Sequence, residues 1–167
     1  MIESLTAYLG FGSNLGNRLG FMQQARQRLD ALPGVEVLAS SDHYQSAAMG
    51  GPADQPDFLN AVVAIRTDLQ PKSLLLSCLD IERQLGRIRQ ERWGARTIDI
   101  DLLLHGRLQC DCAGLTLPHP RLHERPFVLY PLYELAPNLE LPGLGVTIAR
   151  LVRGREFDAG LTRLGPW

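Results

Sequence analysis

Residues 92–104 read Arg-Trp-Gly-Ala-Arg-Thr-Ile-Asp-Ile-Asp-Leu-Leu-Leu, and this stretch decides the fold. The β-branched and apolar residues from Thr97 to Leu104 predict a strand. Alternate residues of a strand point to one face, so Asp99 and Asp101 lie side by side, about 7 Å apart at two rises of roughly 3.3 Å. The sequence therefore predicts a buried strand that carries two neighbouring carboxylates.

Paired carboxylates that follow a cluster of fixed positive charge point to metal-bound phosphate. Mg²⁺ prefers one or two carboxylates together with substrate phosphate oxygens, and arginine holds phosphate through paired hydrogen bonds. The segment before the strand contains Arg83, Arg87, Arg89, Arg92 and Arg96. Two interpretations stay open on these residues alone: a phosphate site, or a solvated arginine-rich loop before a strand with two tolerated acids.

Outward from this strand, the chain alternates strands with helices. Strands are predicted at residues 5–12, 35–46 and 58–65, with a short hairpin or edge strand over 107–117. Helices are predicted at residues 17–32, 71–86 and 127–135, with one short helix after residue 146. This order is typical of an α+β sandwich, with helices packed on a mainly antiparallel sheet.

Length and composition bound the class of protein. A chain of 167 residues with 45% hydrophobic and 21% charged residues predicts a single globular domain over residues 1–167. A net charge of −1 argues against nucleic-acid or anionic-membrane binding. Because neither a leader peptide nor a long apolar stretch occurs, we expect a cytoplasmic protein. We also expect a monomer. Motifs close to both ends argue against a fragment of a fusion protein.

Other short motifs do not predict a site. Cys110-Asp-Cys112 has no second pair at zinc spacing, and the prolines around His119 forbid the helix that would align it with His123. The glycines of residues 10–16 lack the dinucleotide-binding spacing. Lys72 is the single lysine of the chain, so a P-loop lysine is unavailable.

Aromatic and amide side chains supply a second candidate site. Phe58 and Asn60 lie on one face of the third strand, where an aromatic ring and an amide can bind a planar heterocycle. The alternative is a core Phe and a capping Asn. Trp93 is placed to act as a lid that stacks on a ligand. Gly12 and Asn14 form either a ligand-facing strand end or a plain turn.

In chain order, residues 12–16, 55–60, 86–101 and 118–125 resemble the 6-hydroxymethyl-7,8-dihydropterin pyrophosphokinase family of folate biosynthesis. The resemblance implies a ferredoxin-like fold and two Mg²⁺ ions. It also implies transfer of pyrophosphate from ATP to the hydroxymethyl group of the dihydropterin, with release of AMP. Two alternatives on the same fold are a non-catalytic nucleotide or pterin sensor and an RNA-binding module. The intact Asp pair and the lack of an RNP1-like aromatic strand disfavour them.

The resemblance also assigns roles to individual residues. Asp99 and Asp101 would bind metal, and Arg87 and Arg96 would stabilise the transferring phosphates. The residues that would hold ATP are Glu82, Arg89, Arg92, Trp93, Arg96, His119 and Arg125. Those that would hold the dihydropterin are Gly12, Asn14, Ser46, Ala48, Met49, Phe58, Asn60, Trp93 and Phe127. Arg87 and Trp93 would share a loop that moves during turnover.

The chain departs from the family pattern at three places. Residues 46–50 lack the proline that often precedes the pterin strand, which predicts a looser loop. Leu79 stands where some members carry a glutamine that contacts nucleotide. Ala95 replaces the common proline of the Arg-Trp-Gly-Pro-Arg motif, which should loosen that loop slightly. The sequence contains no compelling side chain for a general base.

Overall fold

The computed structural model describes residues 3–48, 50–88, 93–153, 155 and 160–167. The strands are β1 (Leu5–Ser13), β2 (Val35–Ser40), β3 (His43–Ser46), β4 (Phe58–Thr67), β5 (Asp99–His105), β6 (Cys110–Cys112), β7 (Leu115–Leu117) and β8 (Leu161–Gly165). The helices are α1 (Arg18–Asp30), α2 (Pro71–Gln84), α3 (Pro126–Leu135) and α4 (Ile148–Val152), with a 3₁₀ turn at Leu122–Glu124. None of the described helices is long and apolar enough to cross a membrane.

One antiparallel sheet forms the centre of the molecule. Its strand order is β5-β1-β4-β3-β8, and β2 also pairs with β4. The succession β1-α1-β2-β4-α2-β5 is the βαββαβ order of a ferredoxin-like fold, which confirms the predicted class. The predicted hairpin over residues 107–117 is also confirmed, as the separate pair β6 and β7.

Helices cover both faces of this sheet. Leu74, Cys78 and Ile81 recur at helical spacing on α2 and pack, with α1, against alternate residues of β1, β4 and β5. On the opposite face, α3 packs against Val62 of β4 and Leu104 of β5. Because both faces are covered, β4 reads as an almost continuous apolar run.

The strand predicted over residues 35–46 is wrong as a single element. It divides into β2 and β3 at Ser41. The Ser41 hydroxyl accepts the backbone N–H of Val62 at 2.9 Å and donates to the Asp42 carbonyl at 2.7 Å. A side-chain oxygen thus replaces a ladder carbonyl, which interrupts the strand.

Sequence reasoning missed β8, which extends the sheet beyond β3. Most of its side chains are exposed, so the strand has no apolar alternation to reveal it. Tertiary contacts hold this end of the chain instead. Trp167 Nε1 donates to the Ser41 carbonyl at 2.8 Å, and the Arg26 guanidinium lies 4.1 Å from the centre of the Trp167 ring.

Candidate active site

Two glycines of β1 separate the aspartates from the aromatic strand. Gly12 pairs with Asn60 of β4 on one side and with Asp99 of β5 on the other, and Gly10 pairs with Asp101. Directly paired residues of antiparallel strands point to the same face, so the amide and both carboxylates lie on one side of the sheet. Because glycine has no side chain, the space between them stays open.

This open space is part of a cavity of about 270 Å³ with an aromatic wall. Phe58 of β4, Phe127 at the start of α3 and Trp93 all line it. Asn60 lines it as well, and its Nδ2 donates to the Ser46 hydroxyl at 2.8 Å, which orients the amide. The cavity therefore offers apolar rings and a fixed amide, the groups suited to a planar polar heterocycle.

Three arginines meet the two aspartates of β5. Arg87 Nη1 lies 2.6 Å from Asp99 Oδ1, and Arg96 Nη1 lies 3.1 Å from Asp99 Oδ2. Arg125 Nη1 is 3.9 Å from Asp101 Oδ2. Ile98 and Ile100 face the α1 and α2 core, as the strand period predicts. The charged side chains are thus gathered on the cavity side of β5.

Burial and the charge of Asp99 both disfavour the charged form of Asp101. Burial, followed by repulsion from Asp99, raises the pKa of Asp101 to about 7, although Arg125 acts in the opposite direction. A divalent cation would relieve this repulsion. Among the described residues, no group of three or more His, Cys, Asp or Glu side chains is placed to hold a metal ion. Two carboxylates fit Mg²⁺, which takes its other ligands from phosphate and water.

Glu82 lies beneath the site rather than in the cavity wall. Its side chain is 3% exposed, and its Oε1 lies 2.7 Å from Arg87 Nη1. The same oxygen accepts the backbone N–H of Ile100 at 2.8 Å. In the structure the Glu82 carboxylate lies on the α2 side of the strand and contacts Arg87, which in turn contacts Asp99. The expected contact of Glu82 with ATP stays a prediction.

Asn14 also joins parts of the protein instead of facing the cavity. It is buried, its Nδ2 donates to Gln55 Oε1 at 3.2 Å, and its Oδ1 accepts the backbone N–H of Arg96 at 2.8 Å. Asn14 thus links the segments around Gln55 and Arg96, and its expected direct contact with the substrate stays a prediction. Its partners are 41 and 82 residues away along the chain, so no local pattern could reveal this role.

Trp93 rests on a glycine pair. Gly50 and Gly51 both have φ of +77°, and a Cβ atom on Gly50 would lie 2.6 Å from the Trp93 ring. A Cβ atom on Gly51 would overlap the Trp93 carbonyl oxygen. Gln55 Nε2 donates to that same carbonyl at 3.0 Å and to the Gly50 carbonyl at 3.2 Å. Glycine is required here because the two loops approach each other closely.

His119 is held as a neutral ring. Burial, followed by the charge of Arg125, lowers the pKa of His119 to about 4. Its Nδ1 accepts the backbone N–H of Arg121 at 3.2 Å, so the neutral imidazole carries its proton on Nε2. His119 is thus suited to donate a hydrogen bond but not to attract phosphate by charge.

The structure brings most of the predicted site residues into one cavity wall. These are Gly12, Ser46, Ala48, Phe58, Asn60, Trp93, Arg96, Asp99, Asp101, Arg125 and Phe127. Arg87 reaches Asp99 from beside the wall. Met49, Arg89 and Arg92 were also predicted and lie outside the described residues. Sequence reasoning missed Gly10 and Arg121, which line the cavity. The register of β1 and β5 is needed to place Gly10 opposite Asp101.

Known proteins are similar to this chain in sequence and in fold. A sequence profile of 7,8-dihydro-6-hydroxymethylpterin-pyrophosphokinase matches residues 8–137. The 2-amino-4-hydroxy-6-hydroxymethyldihydropteridine pyrophosphokinase of Synechocystis is 45% identical over 153 residues, which cover 92% of this chain and 77% of the relative. The Haemophilus influenzae protein of the same name is 40% identical, with 97% and 99% covered.

A solved structure gives the same result for the fold. Plasmodium falciparum HPPK-DHPS, crystallised with pteroate, has a TM-score of 0.74 to this chain at 13% sequence identity. The match covers 96% of this chain and 46% of that longer one. At this identity the likeness shows a shared fold.

Proposed function

The chain belongs to the 7,8-dihydro-6-hydroxymethylpterin-pyrophosphokinase family, and we propose that it transfers the pyrophosphoryl group of ATP to 6-hydroxymethyl-7,8-dihydropterin. The acceptor is the hydroxymethyl group, and the products are AMP and the pterin diphosphate, in a step of tetrahydrofolate biosynthesis. One observation above all supports this function. A single cavity contains the paired aspartates of β5, several aromatic rings and an amide, and Gly10 and Gly12 of β1 leave the space between them open.

The aromatic wall is the proposed pterin site. Phe58 and Phe127 would sandwich the ring system, and Asn60 would read its edge through hydrogen bonds. Trp93 would close over the bound substrate, and the backbone near Ala48 would complete the pocket. The support is that these side chains line the same cavity, with the Asn60 amide already oriented by Ser46. The contact expected from Met49 rests on the family resemblance alone.

The arginines are the proposed phosphate site. Arg87 and Arg96 would stabilise the charge on the transferring phosphates, since both guanidinium groups already lie at Asp99. Arg125 and the neutral His119 would bind ATP, the first by charge and the second through its Nε2–H. The roles of Arg89 and Arg92 rest on the family resemblance.

Asp99 and Asp101 would hold the two Mg²⁺ ions of this proposal. Bound Mg²⁺ neutralises charge on the phosphates and makes the substrate hydroxyl more acidic. The protein's own contribution is to hold nucleotide and pterin in line for the transfer, with fixed positive charge at the phosphates. His119 is not needed as a base in this scheme.

We propose a single pyrophosphokinase domain over residues 1–167 that works as a cytoplasmic monomer without a nucleic-acid partner. The net charge of −1 and the shared central sheet support this proposal. Light scattering coupled to gel filtration measures the oligomeric state, and a second species at twice the mass would contradict it.

Product analysis tests the function directly. The folded protein is incubated with ATP, 6-hydroxymethyl-7,8-dihydropterin and Mg²⁺, and nucleotides and pterins are separated by chromatography. We expect AMP and a pterin diphosphate in equal amounts. Formation of ADP, or no turnover by a folded sample, would overturn the proposal.

A further inference from the structure

Helix α2 ends in a turn that brings Arg87 back over Glu82. Gly86 has φ of +84°, its N–H donates to the Arg83 carbonyl, and the Arg87 N–H donates to the Glu82 carbonyl at 3.1 Å. These are the two hydrogen bonds of a Schellman motif. In such a motif the residue after the glycine faces the residue five positions before it, usually through an apolar contact. Here the contact is the ion pair between Arg87 and Glu82.

This ion pair is buried. The Glu82 and Arg87 side chains are only 3% and 10% exposed, and Glu82 follows the core residue Ile81 on α2. An apolar residue of similar volume is often at least as stabilising at such a position, since charges lose their hydration on burial. Stability alone therefore does not account for a carboxylate here, and its contacts indicate another role.

The same carboxylate oxygen also holds the aspartate strand. Glu82 Oε1 accepts the backbone N–H of Ile100, the residue between Asp99 and Asp101. Strand β5 is the end strand in the order of the main sheet, so its outward N–H needs a partner from outside the sheet. Glu82 provides that partner and holds the strand at Ile100, midway between Asp99 and Asp101.

Arg87 is shared between two carboxylates that differ in accessibility. Its Nη1 lies 2.7 Å from Glu82 Oε1 and 2.6 Å from Asp99 Oδ1. Asp99 lines the cavity, where a cation can compete with Arg87 for its oxygen, whereas Glu82 lies below the strand. Glu82 is thus the partner that Arg87 keeps when Asp99 binds a cation.

We propose that Glu82 is a positioning residue for pyrophosphoryl transfer, which holds Arg87 and the Ile100 backbone in place while Asp99 is engaged by a cation. The catalytic part of this inference rests on the proposed function. The part that concerns cation binding at Asp99 does not, because it follows from the contacts of Arg87 alone.

The substitution Glu82→Gln separates the two contacts of Glu82. The amide oxygen can still accept the Ile100 N–H, but the negative charge that holds Arg87 is gone. We expect kcat to fall about 10- to 100-fold, the cost of a misplaced catalytic group. The KM for the dihydropterin should stay within about twofold, because Glu82 does not line the pterin pocket. The matched control is Asp80→Asn on the same helix, whose exposed ion pair with Arg83 should be dispensable.

A double-mutant cycle tests whether Glu82 acts through Arg87. In an Arg87→Ala background, Glu82→Gln should change kcat by less than about twofold, because the group it positions is absent. If Arg87→Ala does not fold, Arg87→Met, which keeps the length of the side chain without its charge, replaces it in the cycle. Equal losses in both backgrounds would overturn the proposal, and so would a Glu82→Gln protein that matches the Asp80→Asn control.

Cation affinity supplies a readout that needs no turnover. Mn²⁺ binding is measured by electron paramagnetic resonance with a non-hydrolysable ATP analogue present. Glu82→Gln should weaken Mn²⁺ binding severalfold. Arg87 Nη1 then keeps only Asp99 of its two carboxylate contacts, and it competes more strongly with Mn²⁺ for the Asp99 oxygen. Unchanged affinity would overturn the proposal. If the wild-type protein makes no AMP, the proposed function is overturned. If Glu82→Gln still binds Mn²⁺ more weakly than that wild-type protein, the role of Glu82 is supported all the same.

Discussion

Two neighbouring regions of the active site are held in different ways. Around Asp99, a largely buried network of charged side chains holds Arg87 between Glu82 and Asp99 and holds Arg96 against Asp99. In the region around Trp93, the ring is half exposed and packs on Gly50 and Gly51, and the Gln55 side chain donates a hydrogen bond to the main-chain carbonyl of Trp93. The first region depends on charge, whereas the second depends on close backbone approach and neutral hydrogen bonds.

This difference separates two tasks. The groups proposed to bind phosphate must keep their geometry, and charge-assisted hydrogen bonds are strong enough to hold them. The lid proposed at Trp93 must admit a substrate, and neutral hydrogen bonds worth about 1 kcal/mol each can be exchanged at little cost. The family resemblance placed Arg87 and Trp93 on one moving loop. In the structure, Arg87 contacts Glu82 and Asp99 and so belongs to the region around Asp99, here called the anchored region. Motion of the loop during turnover stays a prediction.

The largest effect should come from the centre of the anchored region. Asp99→Asn removes the charge that pairs with two arginines and that would bind Mg²⁺, so kcat should fall about 10²- to 10³-fold or more. Steady-state kinetics with a circular-dichroism check of folding measures this. Asp80→Asn, an exposed carboxylate on α2, is the control and should keep full activity. Near-normal turnover by Asp99→Asn would remove the metal assignment.

A smaller but still large loss is expected when one guanidinium of the anchored region is removed. Arg96→Ala should lower kcat about 100-fold through lost stabilisation of the phosphates. Arg83→Ala, which removes an exposed arginine paired with Asp80, should change kcat by less than about twofold. Parallel kinetics on the two variants makes the comparison. Similar losses would mean that Arg96 belongs to a solvated surface and not to the site.

A change in the lid region, which consists of Trp93, Gly50 and Gly51, should alter substrate binding and leave the chemical step nearly unchanged. Gly51→Ala places a methyl group against the Trp93 carbonyl, so the KM for the dihydropterin should rise about tenfold while kcat changes little. Gly114→Ala is a matched control, since Gly114 has a similar φ of +84° but no atom within 4 Å of an added Cβ. It should cost stability alone. If both variants raise KM equally, backbone strain and not the Trp93 contact explains the effect.

The smallest effect concerns stability and pH. In the folded protein the pKa of Asp101 is raised to about 7 from an ordinary value of 3.8. The folded state therefore binds more protons than the unfolded state in this range, and stability is lost as the pH rises through about 7. Because the Asp101 side chain is 39% exposed and solvent screens part of the effect, Tm should fall by at most a few degrees between pH 6 and pH 8 when a chelator is present.

Asp101→Asn should remove most of this fall in Tm between pH 6 and pH 8, while Asp80→Asn should keep it. Differential scanning calorimetry at the two pH values decides between them. The lowered pKa of His119 acts in the opposite direction below about pH 6.5, which overlaps the lower end of this range, so the contribution of Asp101 is read from the difference between wild type and Asp101→Asn, which both contain His119. An identical dependence of Tm on pH in all three proteins would show that neither burial nor the charge of Asp99 raises the pKa of Asp101 in the folded state.

Local pattern reveals part of this molecule and hides the rest. Strand β5 was predictable because period-two alternation places Asp99 and Asp101 on one face whatever the partner strand is. The division of residues 35–46 was not, since it depends on the Ser41 hydroxyl meeting the Val62 backbone 21 residues away. Strand β8 was hidden for a related reason, because an exposed edge strand is defined by its neighbour β3 and not by its own composition.

The sequence by itself determined the alternation of strands and helices, the aspartate pair, the Phe58 and Asn60 face, and the family. These depend on side-chain chemistry and on spacings of a few residues, which the chain carries locally. Tertiary structure alone decided that Gly10 and Gly12 open the cavity, that Asn14 joins two loops, and that Glu82 supports Arg87 from below. Each depends on strand register or on contacts between distant segments, and such contacts exist only after the sheet and its helices have packed together.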